Sequence, residues 1–199
     1  VFPPRSEAYT DIVNWIEKWV LKGVPLILGG FALGKCQELL KIIQKATDIT
    51  PVVYSKVYSY SKVYVEEGVD LGRFETPSTI KSQIVVMPHL EYFKRPKSYW
   101  RRLFGFKENP KVGVFTGMVM NYRIYSKLLN EYKVDFAYPL SSHADVAGLL
   151  EYVEKANPKK VYTLYGKTVK FARLIKAKLG IEAVPLRKGF KEILGKNNI

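Results

Sequence analysis

The chain has 199 residues, 47% of them hydrophobic, and sets 32 Lys plus Arg against 18 Asp plus Glu for a formal net charge of +14. That length buries a real core in one domain or two small ones, while a single cysteine and two histidines exclude an internal disulfide and argue against a self-contained zinc site. No run approaches the roughly 18 apolar residues of a membrane span, and Val1-Phe2-Pro3-Pro4-Arg5 lacks the layout of a secretory signal, so a cytoplasmic protein without membrane contact is expected.

A field of this sign attracts phosphate polymers, which makes nucleic acid the leading partner class. A lysine-rich, thermophile-like solubilising surface is the alternative.

Two prolines make the opening an extended lead-in. Ser6 or Thr10 is placed to cap a helix whose apolar face is Ile12, Trp15, Ile16 and Trp19, ended by Lys22-Gly23. Val24 to Leu28 reads as a strand feeding Gly29-Gly30-Phe31-Ala32-Leu33-Gly34-Lys35, with a helix through Leu39, Leu40, Ile42 and Ile43. Gly29, Gly34 and Lys35 fit G-x-x-x-x-G-K, but Cys36 stands where a hydroxyl should hold magnesium, so nucleotide hydrolysis is not expected. Lys35 and the helix start remain candidates for one nucleic-acid phosphate.

Val52 to Tyr54 is the next strand, and Tyr54-Ser55-Lys56-Val57-Tyr58 recurs as Tyr60-Ser61-Lys62-Val63-Tyr64, too locally to mean a repeat architecture. Gly68 to Thr79 is turn-rich, and Ser82 to Pro88 is a buried strand. From Phe93 to Lys107, five aromatics interleave with six basic residues and no acid. Lys94, Arg95, Lys97, Arg101 and Arg102 are candidates for phosphate contact and Trp100 for base stacking. The alternative is an amphipathic helix with Tyr99, Leu103 and Phe106 on one face and solvated charges on the other.

Strand Lys111 to Phe115, helix Tyr122 to Leu129 and strand Val134 to Tyr138 lead to Leu140-Ser141-Ser142-His143-Ala144-Asp145. Ser141, Ser142 and Asp145 are helix-capping residues ahead of Val146, Leu149, Leu150 and Val153. His143, at a strand-to-helix turn, is either structural or a site residue facing the ligand crevice of an α/β fold. Val161 to Gly166, a helix from Val169 to Leu179 stopped by Gly180, and a strand from Ile181 to Leu186 complete the chain. The regular alternation means an α/β fold with a largely parallel sheet.

Three stretches together resemble the β-CASP branch of the metallo-β-lactamase-fold nucleases: Phe31 to Leu39, Leu140 to Asp145, and Val161 to Gly166 with Phe171-Ala172. The resemblance implies a three-layer αβα β-CASP domain over residues 1–133, including the lead-in, and a C-terminal βαβαβ remnant of the lactamase fold over 134–199. It places His143 on the family's second β-CASP motif and Tyr165 on the third, where RNA-acting members carry a metal-binding histidine. Tyrosine is a poor zinc ligand near neutral pH. The acidic first motif and the H-x-H-x-D-H metal motif of active members have no counterpart, as if the sequence starts just after the lactamase part.

The expectation is therefore a basic nucleic-acid-binding protein derived from a β-CASP nuclease, catalytically incomplete on its own, with RNA favoured over DNA and a ribonucleoprotein role in view. His143 is a residual catalytic motif, and no metal or cofactor is held unless a lactamase-bearing partner supplies zinc ligands. The alternative is the β-CASP portion of an RNA or DNA nuclease whose other half is separate. In that case a protein partner would cover the C-terminal sheet edge.

Overall fold

The computed structural model describes residues 3–78, 81–141 and 143–186. The expectations placed on Val1, Phe2, Thr79 and Ser142 lie outside the described residues. The chain divides into two compact units, Val1–Ser142 and His143–Ile199.

In the first unit, five parallel strands form one sheet in the order β2-β3-β1-β4-β5. They are β1 (Leu26–Gly30), β2 (Val52–Val53), β3 (Ile84–Pro88), β4 (Lys111–Phe115) and β5 (Phe136–Tyr138). Central β1 pairs with β3 from Leu26↔Ile84 to Gly30↔Pro88, and with β4 from Leu26↔Lys111 to Gly29↔Val114.

Alternation along these strands builds two cores, because successive side chains leave opposite faces. Leu26, Leu28, Ile84, Val86 and Phe115 join Ile12 and Ile16 of α1 (Arg5–Val20), Leu39 and Ile42 of α2 (Lys35–Ala46), and Val57 of α3 (Ser55–Glu66). Ile27, Val85, Met87, Val112 and Val114 face the other way. They pack with Tyr92 of α4 (His89–Tyr92), Trp100 of α5 (Lys97–Leu103), Val119 of the 3-10 turn Gly117–Met120, and Leu128 of α6 (Tyr122–Asn130). Helices thus cover both faces, the three layers expected of an α/β unit.

Gly113 keeps one contact open, since a Cβ there would lie 2.8 Å from Cζ of Phe115 and 3.2 Å from the Trp15 ring. Trp15 in turn stacks on Phe136, 5.1 Å between centroids. Among the described residues no helix is long and apolar enough to cross a membrane.

The second unit contains α7 (Val146–Ala156), β6 (Lys160–Thr163), α8 (Thr168–Leu179) and β7 (Glu182–Pro185). Strands β6 and β7 pair in parallel from Lys160↔Glu182 to Thr163↔Pro185, with α8 as the crossover between them. Gly180, at φ 69°, ends α8 as the sequence indicated.

Two local expectations change. The strand expected to open a C-terminal βαβαβ segment is β5, and it pairs instead with β4 in the first sheet, from Gly113↔Phe136 to Phe115↔Tyr138, with Phe136 and Tyr138 packed on the α1 side. Neither Ser6 nor Thr10 caps α1: Pro4 is its N-cap, and the Thr10 hydroxyl donates to the Ser6 carbonyl.

Candidate functional site

In parallel α/β sheets, ligands bind outside the carboxyl ends of the strands. There, Gly29-Gly30 of β1 runs into the glycine-rich turn, but the turn closes on itself. The Gly34 N–H, at φ 83°, donates to Oε1 of Gln37, and the Gln37 amide donates to the Ala32 carbonyl and to Oγ of Ser61 on α3. The Cys36 N–H donates to the Phe31 carbonyl. A Cβ on Gly30 would lie 2.9 Å from Cβ of Lys35, so only glycine lets the helix start this close to the strand.

Lys35 points inward, 4% exposed, and its ammonium lies 2.5 Å from Oε2 of Glu38. Oε1 of Glu38 accepts from Nη2 of Arg5 at 2.6 Å and from the Tyr9 hydroxyl at 2.7 Å. Burial pushes the Glu38 carboxyl up, but the bonds from Lys35, Tyr9 and Arg5 outweigh it and hold the group below the usual carboxylate range. Lys35, a candidate phosphate ligand by sequence, is therefore the internal ion-pair partner of Glu38 within α2, and Glu38 ties α2 to α1 through Arg5 and Tyr9. Burial pushes the Cys36 thiol up to about 12, so it is no nucleophile at neutral pH.

His89 follows β3 directly and is buried, with Nδ1 2.8 Å from the Gly30 carbonyl. Its ring lies edge-on to Phe31 and Phe93, and Nε2 has no hydrogen-bond partner among the described residues. Burial holds this imidazole below its ordinary value, against the Gly30 bond, so it is neutral with Nδ1–H donating. Sequence reasoning passed over both His89 and Glu38. The available signals were a polar residue directly after a buried parallel strand and the Lys35-x-x-Glu38 spacing, which sets two charges on one helical face.

The basic segment forms α5 and the turns on either side of it, and the expected amphipathic helix is present but turned by one residue. Trp100 and Phe104 face in, while Tyr99 and Leu103 face out. Trp100 is 4% exposed, stacks on Tyr92 and Phe104, and donates its indole N–H to the Tyr92 carbonyl at 3.0 Å. It is a core residue and is not available to stack on a base, which corrects the sequence reading.

Lys97 is likewise engaged, sharing Asp135 with Lys111 at 2.7 and 3.0 Å, while Oδ2 of Asp135 also accepts the Val112 N–H at 2.9 Å. Burial raises the Asp135 carboxyl, but these three donors outweigh it and hold it below its usual range. Lys94 pairs on the surface with Glu91 at 2.8 Å. Arg95 lies over the exposed Tyr99 ring, 5.7 Å from its centroid. Nη1 of Arg101 reaches the Lys107 carbonyl at 3.3 Å, and Arg102 is exposed.

In the second unit, His143 is exposed ahead of α7, and Asp145 is the cap, its carboxylate accepting the Gly148 N–H at 2.8 Å. Tyr165 is exposed at φ 64°, in the loop between β6 and α8. Among the described residues, no three His, Cys, Asp or Glu side chains are grouped to hold a metal ion.

No family model matches the chain. Among curated proteins it is similar to a probable DNA ligase of Opitutus terrae, 29% identical over 186 residues, which cover 92% of this chain. The chain spans only 17% of the length of that relative. The relative is described neither as a nuclease nor as an RNA-processing factor. This overturns the expected function, a basic RNA-binding, ribonucleoprotein-type remnant of a β-CASP metallo-nuclease, together with its alternative as the nuclease portion.

Proposed function

We propose that this chain is the DNA-contacting part of a larger DNA-joining protein. The observation that carries the reading is the 29% identity to a probable DNA ligase across 92% of the chain. Because the chain spans 17% of that relative, the joining reaction belongs in this reading to the whole polypeptide, and the present segment holds the DNA.

The charge of +14 supports it, since most of the affinity of a protein for DNA comes from neutralising phosphates. Arg95, Arg101 and Arg102 on and beside α5 supply guanidinium groups, which match phosphate oxygens in geometry. Tyr99, 37% exposed under Arg95, offers a ring face to an unpaired base.

Fluorescence anisotropy of the full chain against nicked duplex DNA, intact duplex and RNA duplex of the same sequence tests this. DNA binding that weakens steeply with salt is expected, and the Arg101→Gln/Arg102→Gln double variant should reduce the slope on duplex DNA by about 1.8, near 0.9 per lost phosphate contact. Absence of DNA binding at low salt, or tighter binding of RNA than of DNA, refutes the reading.

A further inference from the structure

At the end of the first sheet opposite the glycine-rich turn, the start of β2, the lead into β3 and the end of α5 enclose a cavity of about 160 Å³. Pro77, Lys81, Ser82, Arg102, Leu103 and Phe104 contribute to its lining, which among the described residues contains two cations and no carboxylate. Three other lysines around α5 and β4 are matched with acids: Lys94 with Glu91, and Lys97 and Lys111 with Asp135. The side chains of Lys81 and Arg102 make no ion pair or hydrogen bond to any described residue.

Two like charges facing one small cavity repel each other, and an anion between them turns that repulsion into attraction. Ser82 adds a directed donor. Its Oγ already accepts the Ile84 N–H at 3.1 Å, so its own proton remains to be donated into the cavity. The end of α5 does not oppose an anion strongly, because its last carbonyls are engaged: Phe104 N–H donates to Trp100 O at 3.0 Å and Gly105 N–H to Arg102 O at 3.2 Å. Leu103, 55% exposed, and Phe104 give the site an apolar side suited to a sugar or base.

We infer that this cavity binds a phosphate group of DNA through Lys81, Ser82 and Arg102, and that the group is the terminal phosphate of a strand. The inference rests on the DNA reading above and names which part of the DNA this surface takes. A terminal phosphate monoester carries about −1.5 to −2 charge near pH 7 and so matches two cations and a hydroxyl better than the single charge of an internal diester does.

The test is fluorescence anisotropy of the full chain with a short single strand, 3′-labelled, bearing either a 5′-phosphate or a 5′-hydroxyl. The phosphorylated strand should bind about tenfold more tightly, and Lys81→Gln and Arg102→Gln should each erase most of that difference while circular dichroism stays unchanged. If both strands bind alike but each substitution lowers the salt slope by about 0.7, the cavity holds an internal phosphate and the terminal assignment is overturned. If neither the preference nor the slope changes, the site itself is overturned.

Failure of the chain to bind nicked or intact duplex DNA in the first assay refutes the DNA reading separately. The cavity is then judged by calorimetric titration with inorganic phosphate: binding that is lost in Lys81→Gln supports the anion site, and no binding overturns it.

Discussion

Glu38→Ala probes how the first unit is held together. The Glu38 side chain is 9% exposed and its carboxylate accepts from Arg5, Tyr9 and Lys35, while the Lys35 side chain is 6% exposed. Deleting the carboxylate leaves the Lys35 ammonium buried without a counter-charge, and breaking a buried pair from one side costs about 3–5 kcal/mol. The Arg5 arm adds little, because its guanidinium is largely solvated.

All three tryptophans, Trp15, Trp19 and Trp100, lie in the Val1–Ser142 unit, so their fluorescence in a urea titration follows this unit alone. The midpoint should fall sharply in Glu38→Ala. In Lys35→Met/Glu38→Leu it should return close to that of the wild type, because a hydrophobic pair of similar volume replaces a buried ion pair at little cost. The sign in pH follows from the depressed carboxyl: its contribution is full above the ordinary carboxylate range and is lost as pH falls through the lower folded value. A Glu38→Ala loss below about 1 kcal/mol, the size of an exposed pair, would refute the view that this network is internal.

Trp100→Ala should destabilise the same unit by about 3–5 kcal/mol, as deletion of a buried aromatic does, whereas Trp100→Phe should leave the salt slope of DNA binding unchanged; a reduced slope would return Trp100 to the interface. His89 is buried neutral and its folded value is depressed, so its contribution is full above the ordinary imidazole range and is lost as pH falls through that range toward the folded value. Urea midpoints between pH 8 and pH 5 should show this loss, and His89→Asn should abolish it. Gly113→Ala should cost about 1–3 kcal/mol by overpacking against Phe115 and Trp15, and an unchanged midpoint would show that those rings yield freely.

The strands and most helices were legible because the apolar residues declare their period. Ile84 to Pro88 is a continuous buried run, and Ile12, Ile16 and Trp19 recur at helical spacing. The partnership of β5 was not legible, since a three-residue strand carries no mark of which neighbour it joins, and only the parallel register with β4 decides it. The site misled for a related reason. Lys35 and Trp100 have the composition of a nucleic-acid surface, but composition does not say which side of a helix faces in, and a single residue of rotation exchanges Trp100 for Tyr99. The structure reassigns the one lysine that completes a phosphate-loop pattern to an interior ion pair with Glu38.

The distribution of acids explains why a surplus of +14 becomes useful at particular places. Asp135 and Glu38 are each held inside hydrogen-bond networks and each engages two cations, Lys97 with Lys111 and Lys35 with Arg5. Two carboxylates thus engage four basic side chains, joining α5 to β4 through Asp135 and α1 to α2 through Glu38. Those cations cannot also meet a phosphate without breaking the bonds that order the fold. Among the described residues, Arg102 and Lys81 are two of the cations whose side chains pair with no acid, and these two lie at one cavity. Phosphate recognition here would therefore follow from where carboxylates are withheld rather than from where lysines and arginines are most numerous.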